Sequence, residues 1–167
     1  MCGILSAMFP SWRSHPRLAA RFNPQYPDDL QVVIHEGGPR LSKSVPELVW
    51  VSVSREESEN VFAGRILNQP HNLKSLRQGD EIKFIVPEVG QYPLLTTDKY
   101  LKEKAHWKIH GCRKCGLTEL FDAPTDLVRI IFPHIKSEAE VEMFTSFCGL
   151  CGGIQGIESS KRVGPGA

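Results

Sequence analysis

Between residues 30 and 87, apolar positions alternate with polar ones in short runs that end at turn-forming residues. In the run VWVSVS, Val49, Val51 and Val53 fall on one face at a period of two, the pattern of a strand with one buried side. A Gly-Asp turn at residues 79–80 precedes a further alternating run, EIKFIV. Four such runs in about 60 residues predict an antiparallel sheet or a small barrel.

The pattern changes after residue 96. Thr97 is placed to cap a short helix, and Asp98 lies in the first turn of that helix, where a negative charge is favourable. Further along, DLVRIIFP (126–133) is rich in β-branched residues and predicts a strand that ends at the proline. The sequence GIQGIE (153–158) predicts a last strand.

Residues 137–147, SEAEVEMFTSF, predict a helix that runs into the second of two cysteine pairs. Ser137 and Glu140 have the spacing of a capping box. Three apolar residues recur on one face of this helix, namely Val141, Phe144 and Phe147. We expect that face to pack on the sheet.

These elements divide the chain into four parts. Residues 1–29 form an irregular, proline-rich arm with a short helix in PRLAARF, and residues 30–96 form the antiparallel β region. Residues 97–158 form a zinc-knuckle α/β region packed on it, and residues 159–167 form a disordered tail. The predicted fold class is α+β, with a small antiparallel or barrel-like β domain and a C-terminal strand-helix-strand region stapled by zinc.

Two Cys-x-x-Cys-Gly elements carry the candidate chemistry. The spacing lets one tight turn present two sulfurs to one cation, and the following glycine takes a positive φ at no steric cost. Backbone N–H groups can then point at the thiolates. The element occurs twice, which predicts a closed tetrahedral site for zinc (Zn2+), with the ligands Cys112, Cys115, Cys148 and Cys151.

The region 112–152 resembles zinc ribbons and related zinc-knuckle modules. The 32 residues between Cys115 and Cys148 exceed the usual ribbon spacing of about 15–20, so a strand and a helix fit between the pairs. A redox or disulfide pair, or an iron–sulfur centre, is the alternative. A thioredoxin-like redox site needs one Cys-x-x-Cys, and two matched pairs argue for zinc.

Composition narrows the functional class. Lys and Arg number 20 against 19 Asp and Glu, so the whole surface has no strong field to attract nucleic acid or anionic membrane. No apolar run approaches the roughly 20 residues that span a bilayer, and the start of the chain lacks the features of a secretory signal. We therefore expect a cytoplasmic protein with reduced thiols.

The start MCGIL resembles that of class II glutamine amidotransferases, in which an N-terminal cysteine is the nucleophile. The resemblance would make Cys2 catalytic, but it covers three residues, and no later segment supplies the rest of that domain. We find no nucleophile-plus-base motif, phosphate loop or open metal motif, so the sequence favours a protein without enzymatic activity.

Residues 47–87 resemble the bacterial domain of unknown function 2314, the YegJ-like family. The resemblance is carried by a Trp-Val strand, a strand ending in Asn-x-Pro and a Gly-Asp turn, at Trp50, Asn68, Pro70, Gly79 and Asp80. The family has no activity to transfer, and the resemblance implies a small sheet.

The sequence thus favours a protein-interaction module of adaptor, regulatory or immunity type, with a partner of unknown identity. Two exposed tips are candidate binding surfaces: His71 and Asn72 in the NQPHN loop, and Arg113 and Lys114 in the first knuckle. Nucleic-acid binding through the knuckles is one alternative, although two charges without an aromatic platform are few for it. An enzyme with an unrecognised site is the other.

Overall fold

A computed structural model describes residues 11–89 and 92–160. Within that part of the chain, a closed five-stranded barrel and a separate three-stranded sheet accompany two α-helices, which confirms the predicted α+β class. Contacts divide the chain into two units. Among the described residues, the first comprises residues 11–34 and those within Val45–Thr96, and the second comprises His35–Ser44 and residues 97–160. Cys2 and residues 161–167 of the predicted tail lie outside the described residues.

The first unit is the barrel. Its strands, in chain order, are β1 (Asp29–Ile34), β2 (Glu47–Ser58), β3 (Val61–Ile66), β4 (Glu81–Ile85) and β5 (Leu94–Thr96). Each pairs antiparallel with the next, and the barrel closes where β1 runs parallel to β5 at Val33 and Leu94. Asn60, with φ of 62°, lies in the short β2–β3 turn, where asparagine tolerates the left-handed conformation.

The barrel interior is filled by the residues that the alternating pattern places inward. Val49, Val51 and Val53 are all buried, as the period of two predicted. They contact apolar side chains from the other strands and from the preceding segment, including Leu18, Leu30, Val32, Ile34, Phe62, Ile66, Ile82 and Phe84. Burial of this apolar surface is the main stabilising contribution to the unit.

The segment before β1 is tied to the barrel by a buried leucine and an ion pair. Leu18 is fully buried, and the Arg13 guanidinium donates to both carboxylate oxygens of Asp28 at 2.7 and 2.8 Å. Hydrogen bonding from Arg13 holds the pKa of Asp28 below its usual range. The helix predicted in PRLAARF is present as a 3-10 turn at Ala19–Arg21.

One glycine allows close approach of two barrel strands. A Cβ on Gly64 would lie 2.5 Å from the Ser52 carbonyl oxygen and 2.6 Å from Val51 Cγ1. We expect Gly64→Ala to lower the free energy of unfolding by about 1–3 kcal/mol, because β2 and β3 must separate to admit the methyl group. Denaturant unfolding measures the loss. The strand variant Gly156→Ala is the control, since its nearest contact is His110 Cδ2 at 3.4 Å, and an equal loss there would contradict this explanation.

The second unit contains the remaining strands and both α-helices. The elements are helix α1 (Asp98–Lys104), β6 (Trp107–Ile109), helix α2 (Pro124–Ile131), β7 (Met143–Phe147) and β8 (Ile154–Ser159). The sheet order is β6-β8-β7, all antiparallel. Its core combines both helices with the inner face of the sheet, at Tyr100, Leu120, Leu127, Val128, Phe144 and Ile157.

The segment His35–Ser44 belongs to this unit and has specific contacts within it. The His35 ring stacks on Phe121 with centroids 3.9 Å apart, and the Gly38 N–H donates to Asp122 at 2.8 Å. Burial raises the pKa of Asp122, and the Gly38 N–H opposes that shift.

The predicted capped helix and last strand are confirmed. Thr97 Oγ1 accepts the Tyr100 N–H at 3.2 Å, and β8 covers Ile154–Ser159. Among the described residues, neither α-helix has the length and apolar character needed to cross a lipid bilayer.

The strand predicted over 126–133 is wrong, since these residues belong largely to α2. Pro124 occupies the start of the helix, where its missing N–H costs nothing, and Asp126 lies in the first turn. Leu127 and Val128 are buried against the core, so tertiary packing outweighs the β propensity of the run.

The helix predicted over 137–147 is also wrong. Ser137 caps only a 3-10 turn at Glu138–Glu140, and the chain then enters β7. Phe144 is buried while Phe147 is exposed, which is strand periodicity. The strand forms because β8 pairs with it along its whole length, and β7, not a helix, leads into the second cysteine pair.

Candidate metal centre

Both cysteine pairs form the same backbone turn. In the first, the Cys112 N–H donates to Leu117 O at 2.9 Å, and the Gly116 N–H donates to Cys112 O at 2.8 Å. In the second, the Cys148 N–H donates to Gly153 O at 2.7 Å, and the Gly152 N–H donates to Cys148 O at 2.9 Å. The first knuckle follows β6, and the second connects β7 to β8.

The glycine after each pair has the predicted backbone conformation. The φ angles of Gly116 and Gly152 are 82° and 76°, in the left-handed region that a side chain would disfavour. Gly153 serves a different purpose, since a Cβ there would lie 2.6 Å from Cys112 Sγ and 3.3 Å from Cys151 Sγ. The chain thus leaves room for the sulfurs at the point where the two knuckles meet.

The four sulfur atoms converge. All lie within 4.8 Å of one another, with Cys112 Sγ 3.4 Å from Cys151 Sγ and Cys115 Sγ 3.7 Å from Cys148 Sγ. A tetrahedron with metal–sulfur bonds of about 2.3 Å has sulfur–sulfur edges of about 3.8 Å. A disulfide needs about 2.05 Å. The arrangement therefore fits a four-coordinate thiolate site for a metal ion.

Backbone donors point at the sulfurs. The Lys114 N–H donates to Cys112 Sγ and the Gly153 N–H donates to Cys151 Sγ, both at 3.4 Å. Burial acts to raise the pKa of the Cys112 thiol, but the hydrogen bonds to its sulfur outweigh it and lower the pKa to about 6. Burial raises the pKa of Cys148 to about 12. A bound cation would favour the thiolate form of all four cysteines.

The four cysteines differ in their exposure to solvent. Cys112 and Cys148 are buried, Cys151 is half-buried and Cys115 is exposed. The site therefore lies at the surface of the second unit.

A buried polar network connects the segment after the first knuckle to α1. Glu119 is only 5 % exposed, and its carboxylate accepts from the Tyr100 hydroxyl and from the Lys104 ammonium. Tyr100 Oη accepts the Leu120 N–H at 3.0 Å. Burial, and then the Glu119 charge, raise the pKa of Tyr100 above its ordinary value, so the hydroxyl keeps its proton and remains a donor.

Gln155 connects the exits of the two knuckles. Its fully buried side chain, on β8, donates to Leu117 O at 2.8 Å and to Glu119 O at 3.2 Å. Sequence reasoning missed Glu119 and Gln155, because a single polar residue has no periodic pattern that would mark it as buried.

The predicted binding residues lie in different units. Arg113 and Lys114 are exposed at the first knuckle, between Cys112 and Cys115. His71 and Asn72 are exposed in the first unit, where their N–H groups each donate to the Glu47 carboxylate at 2.7 Å. His110 lies 3.4 Å from Glu158 and is not in the cysteine group.

The fold and the site define an α+β protein with a barrel unit and a second unit that carries a four-cysteine group able to hold a metal ion. No protein-family model, no curated protein and no solved structure matches the chain.

Proposed function

We propose that this chain is a non-enzymatic zinc-binding protein, with a structural zinc site, that acts as a protein-interaction module of adaptor, regulatory or immunity type. The convergence of four sulfurs, each pair held in the same tight turn, carries the proposal. Four protein ligands complete a tetrahedral zinc sphere, whereas catalytic zinc sites keep one position for water or substrate. The three-stranded sheet that carries the knuckles supports the likeness to zinc ribbons.

Zinc is favoured by the donor set. Thiolates are soft ligands that suit zinc and iron, while calcium and magnesium take oxygen ligands. Cys112, Cys115, Cys148 and Cys151 would hold the ion, which would join the strand after α1 to the β7–β8 hairpin. At this site zinc would hold the two knuckles together and would supply no redox chemistry.

Elemental analysis of the purified full chain tests this assignment. We expect one zinc per chain, no visible absorption, and release of the zinc when the thiols are titrated with an organomercurial. A chain that contains iron and absorbs visible light would instead support a redox centre. Absence of any metal, with all four thiols free, would contradict the proposal.

The interaction role is supported by preformed exposed loops on rigid scaffolds. In the NQPHN loop, Glu47 fixes the backbone of His71 and Asn72, while both side chains remain exposed. Asn68 Oδ1 accepts the Trp50 N–H at 2.7 Å, which anchors the start of the loop to β2. Such loops bind partners with little ordering cost. The likeness to the YegJ-like family and the cytoplasmic location remain predictions.

Replacing His71 and Asn72 with alanine is expected to reduce partner capture without changing the fold. The contacts to Glu47 use backbone N–H groups, which alanine retains, so stability should change by about 0.5 kcal/mol or less. Zinc content, melting temperature and recovery of native-host partners are measured together. Gln25→Ala, at another exposed site of the same unit, is the control. Full recovery of every partner by the folded double variant would exclude this loop.

A further inference from the structure

An exposed apolar cluster adjoins the metal centre. Phe147, Leu150 and Ile154 are 44 %, 43 % and 43 % exposed. Phe147 and Ile154 are direct cross-strand partners at the end of the β7–β8 hairpin, and Leu150 lies between the cysteines of the second knuckle. We call these three residues, together with Arg40, Arg113 and Lys114, the knuckle face.

Folding of the sheet does not require apolar residues at these positions. The neighbouring residues Ser146 and Gln155 point inward and are buried, so strand alternation places Phe147 and Ile154 on the outer side. Polar residues at outward positions would keep the sheet soluble, whereas clustered exposed apolar side chains are typical of interaction sites.

Three basic residues border this cluster. The Arg40 guanidinium lies 4.8 Å from the centre of the Phe147 ring, and the backbone N–H of Arg113 donates to the Ile154 carbonyl oxygen at 3.0 Å. Lys114 lies close to Gly153, because a Cβ added to Gly153 would be only 2.7 Å from the Cβ of Lys114. Within residues 11–89 and 92–160, no carboxylate forms an ion pair with any of the three.

The charge distribution differs at the other end of the same sheet. Glu158 lies there beside His110 and opposite Met143 and Lys108. The knuckle end therefore carries three basic residues and an apolar cluster, with Asp122 in the same cleft as Arg40 and Phe147, while the opposite end is mixed. A partner that covers the knuckle face must supply negative charge and large apolar side chains together.

We propose that the knuckle face binds an acidic, apolar segment of a partner protein, in which Asp or Glu residues lie beside large side chains such as Leu or Phe. This inference rests on the proposed interaction role and names the partner chemistry for it. Acidic groups would pair with Arg40, Arg113 and Lys114, and the apolar side chains would pack on Phe147, Leu150 and Ile154.

A single-stranded nucleic acid fits this surface less well. Bases need aromatic faces to stack on, and here one ring, Phe147, has Arg40 over it, while Leu150 and Ile154 are aliphatic. Peptide side chains pack on aliphatic groups without that requirement.

The position of the face also links it to the metal site. Arg113 and Lys114 lie between the first two cysteines, and Leu150 lies between the last two. Holding both knuckles together therefore pre-organises the binding residues, which lowers the entropic cost of binding.

The test is selection from a random dodecapeptide phage library on the immobilised, zinc-loaded full chain. We expect the enriched peptides to have net negative charge and at least two large apolar residues. The strongest peptide is then synthesised with a fluorescein label, and its dissociation constant is measured by anisotropy against variants of the chain. Phe147→Ser, Leu150→Ser and the double variant Arg113→Glu/Lys114→Glu should each weaken binding about tenfold or more.

Two variants serve as controls in the same unit. Ile130→Ser removes an exposed apolar side chain from α2, and Lys102→Glu reverses an exposed charge on α1. Both should bind the peptide within about twofold of the native chain. Zinc content and melting temperature are measured for every variant, and Leu150→Ser or the charge reversal decides the question if Phe147→Ser fails to fold.

Three results would overturn the inference: no enrichment, enrichment of neutral or basic peptides, or equal weakening by the control variants. Stronger competition by a dodecamer of thymidylate than by unlabelled peptide would assign the face to nucleic acid instead. Absence of zinc in the elemental analysis would defeat the proposed function before any selection. A folded, zinc-loaded chain that selects no acidic peptide would defeat this inference alone.

Discussion

Cys148→Ser is expected to abolish stoichiometric zinc binding and to unfold the second unit while the barrel stays folded. Cys148 is fully buried, and its sulfur lies 3.7 Å from Cys115 Sγ, so serine leaves both a three-ligand site and a buried hydroxyl. Structural zinc in small peptides contributes about 10–16 kcal/mol of apparent binding free energy. This is as large as the whole stability of an average domain, about 5–15 kcal/mol.

Hydrogen exchange measured by mass spectrometry, together with zinc analysis, locates the effect. We expect amides of residues 106–158 to lose protection, while amides of β1 to β4 retain it, because the barrel has a separate apolar core. Removal of zinc from the native chain with a chelator should give the same pattern.

Cys2→Ser is the matched control, since it makes the same chemical change at the fifth cysteine. It should retain one zinc and the native exchange pattern. Equal loss of protection in both units after Cys148→Ser would show instead that the chain unfolds as one cooperative unit. Metal loss in the Cys2→Ser variant would overturn the assignment of ligands.

Glu119→Ala is expected to lower the free energy of unfolding of the second unit by about 1–3 kcal/mol, because removal of the buried carboxylate leaves a buried polar group without its hydrogen-bond partner. The Tyr100 hydroxyl would lose its acceptor, and the Lys104 ammonium would lose its counter-ion. Denaturant unfolding monitored by hydrogen exchange measures the change.

Two further variants separate charge from shape. Glu119→Gln keeps an acceptor for Tyr100 and should cost less, since Lys104 is partly exposed and can turn to water. Glu138→Ala removes the partner of Arg129 from an exposed pair and should have a far smaller effect. A loss at Glu138 as large as at Glu119 would mean that burial of the network contributes nothing.

Local physical chemistry was enough to predict several elements. A period of two along VWVSVS can place three valines inward only in a strand, and all three are buried in the barrel. Thr97 caps α1 through a contact three residues away, and the two glycines adopt positive φ one residue after the cysteine pairs. These features depend on neighbours in the chain, so the sequence alone was sufficient to predict them.

The region between the cysteine pairs required the tertiary structure. DLVRIIF has the composition of a strand, yet it forms α2 because its buried face packs on Tyr100 and Phe144. Residues 143–147 contain helix-spaced phenylalanines, yet they form β7 because β8 offers backbone hydrogen bonds along their length. Local propensities differ by only about 1 kcal/mol per residue, which is small compared with the packing that opposes them.

Spacing and glycine placement are properties of the chain, so the two matched knuckles were predictable without a structure. Long-range packing is what brings the four sulfurs within 4.8 Å of one another, joins Gln155 to the segment that contains Glu119, and places Arg40 over Phe147. Each of these contacts joins residues distant in the chain. Their positions depend on how the whole unit packs, and no local pattern in the sequence encodes that packing.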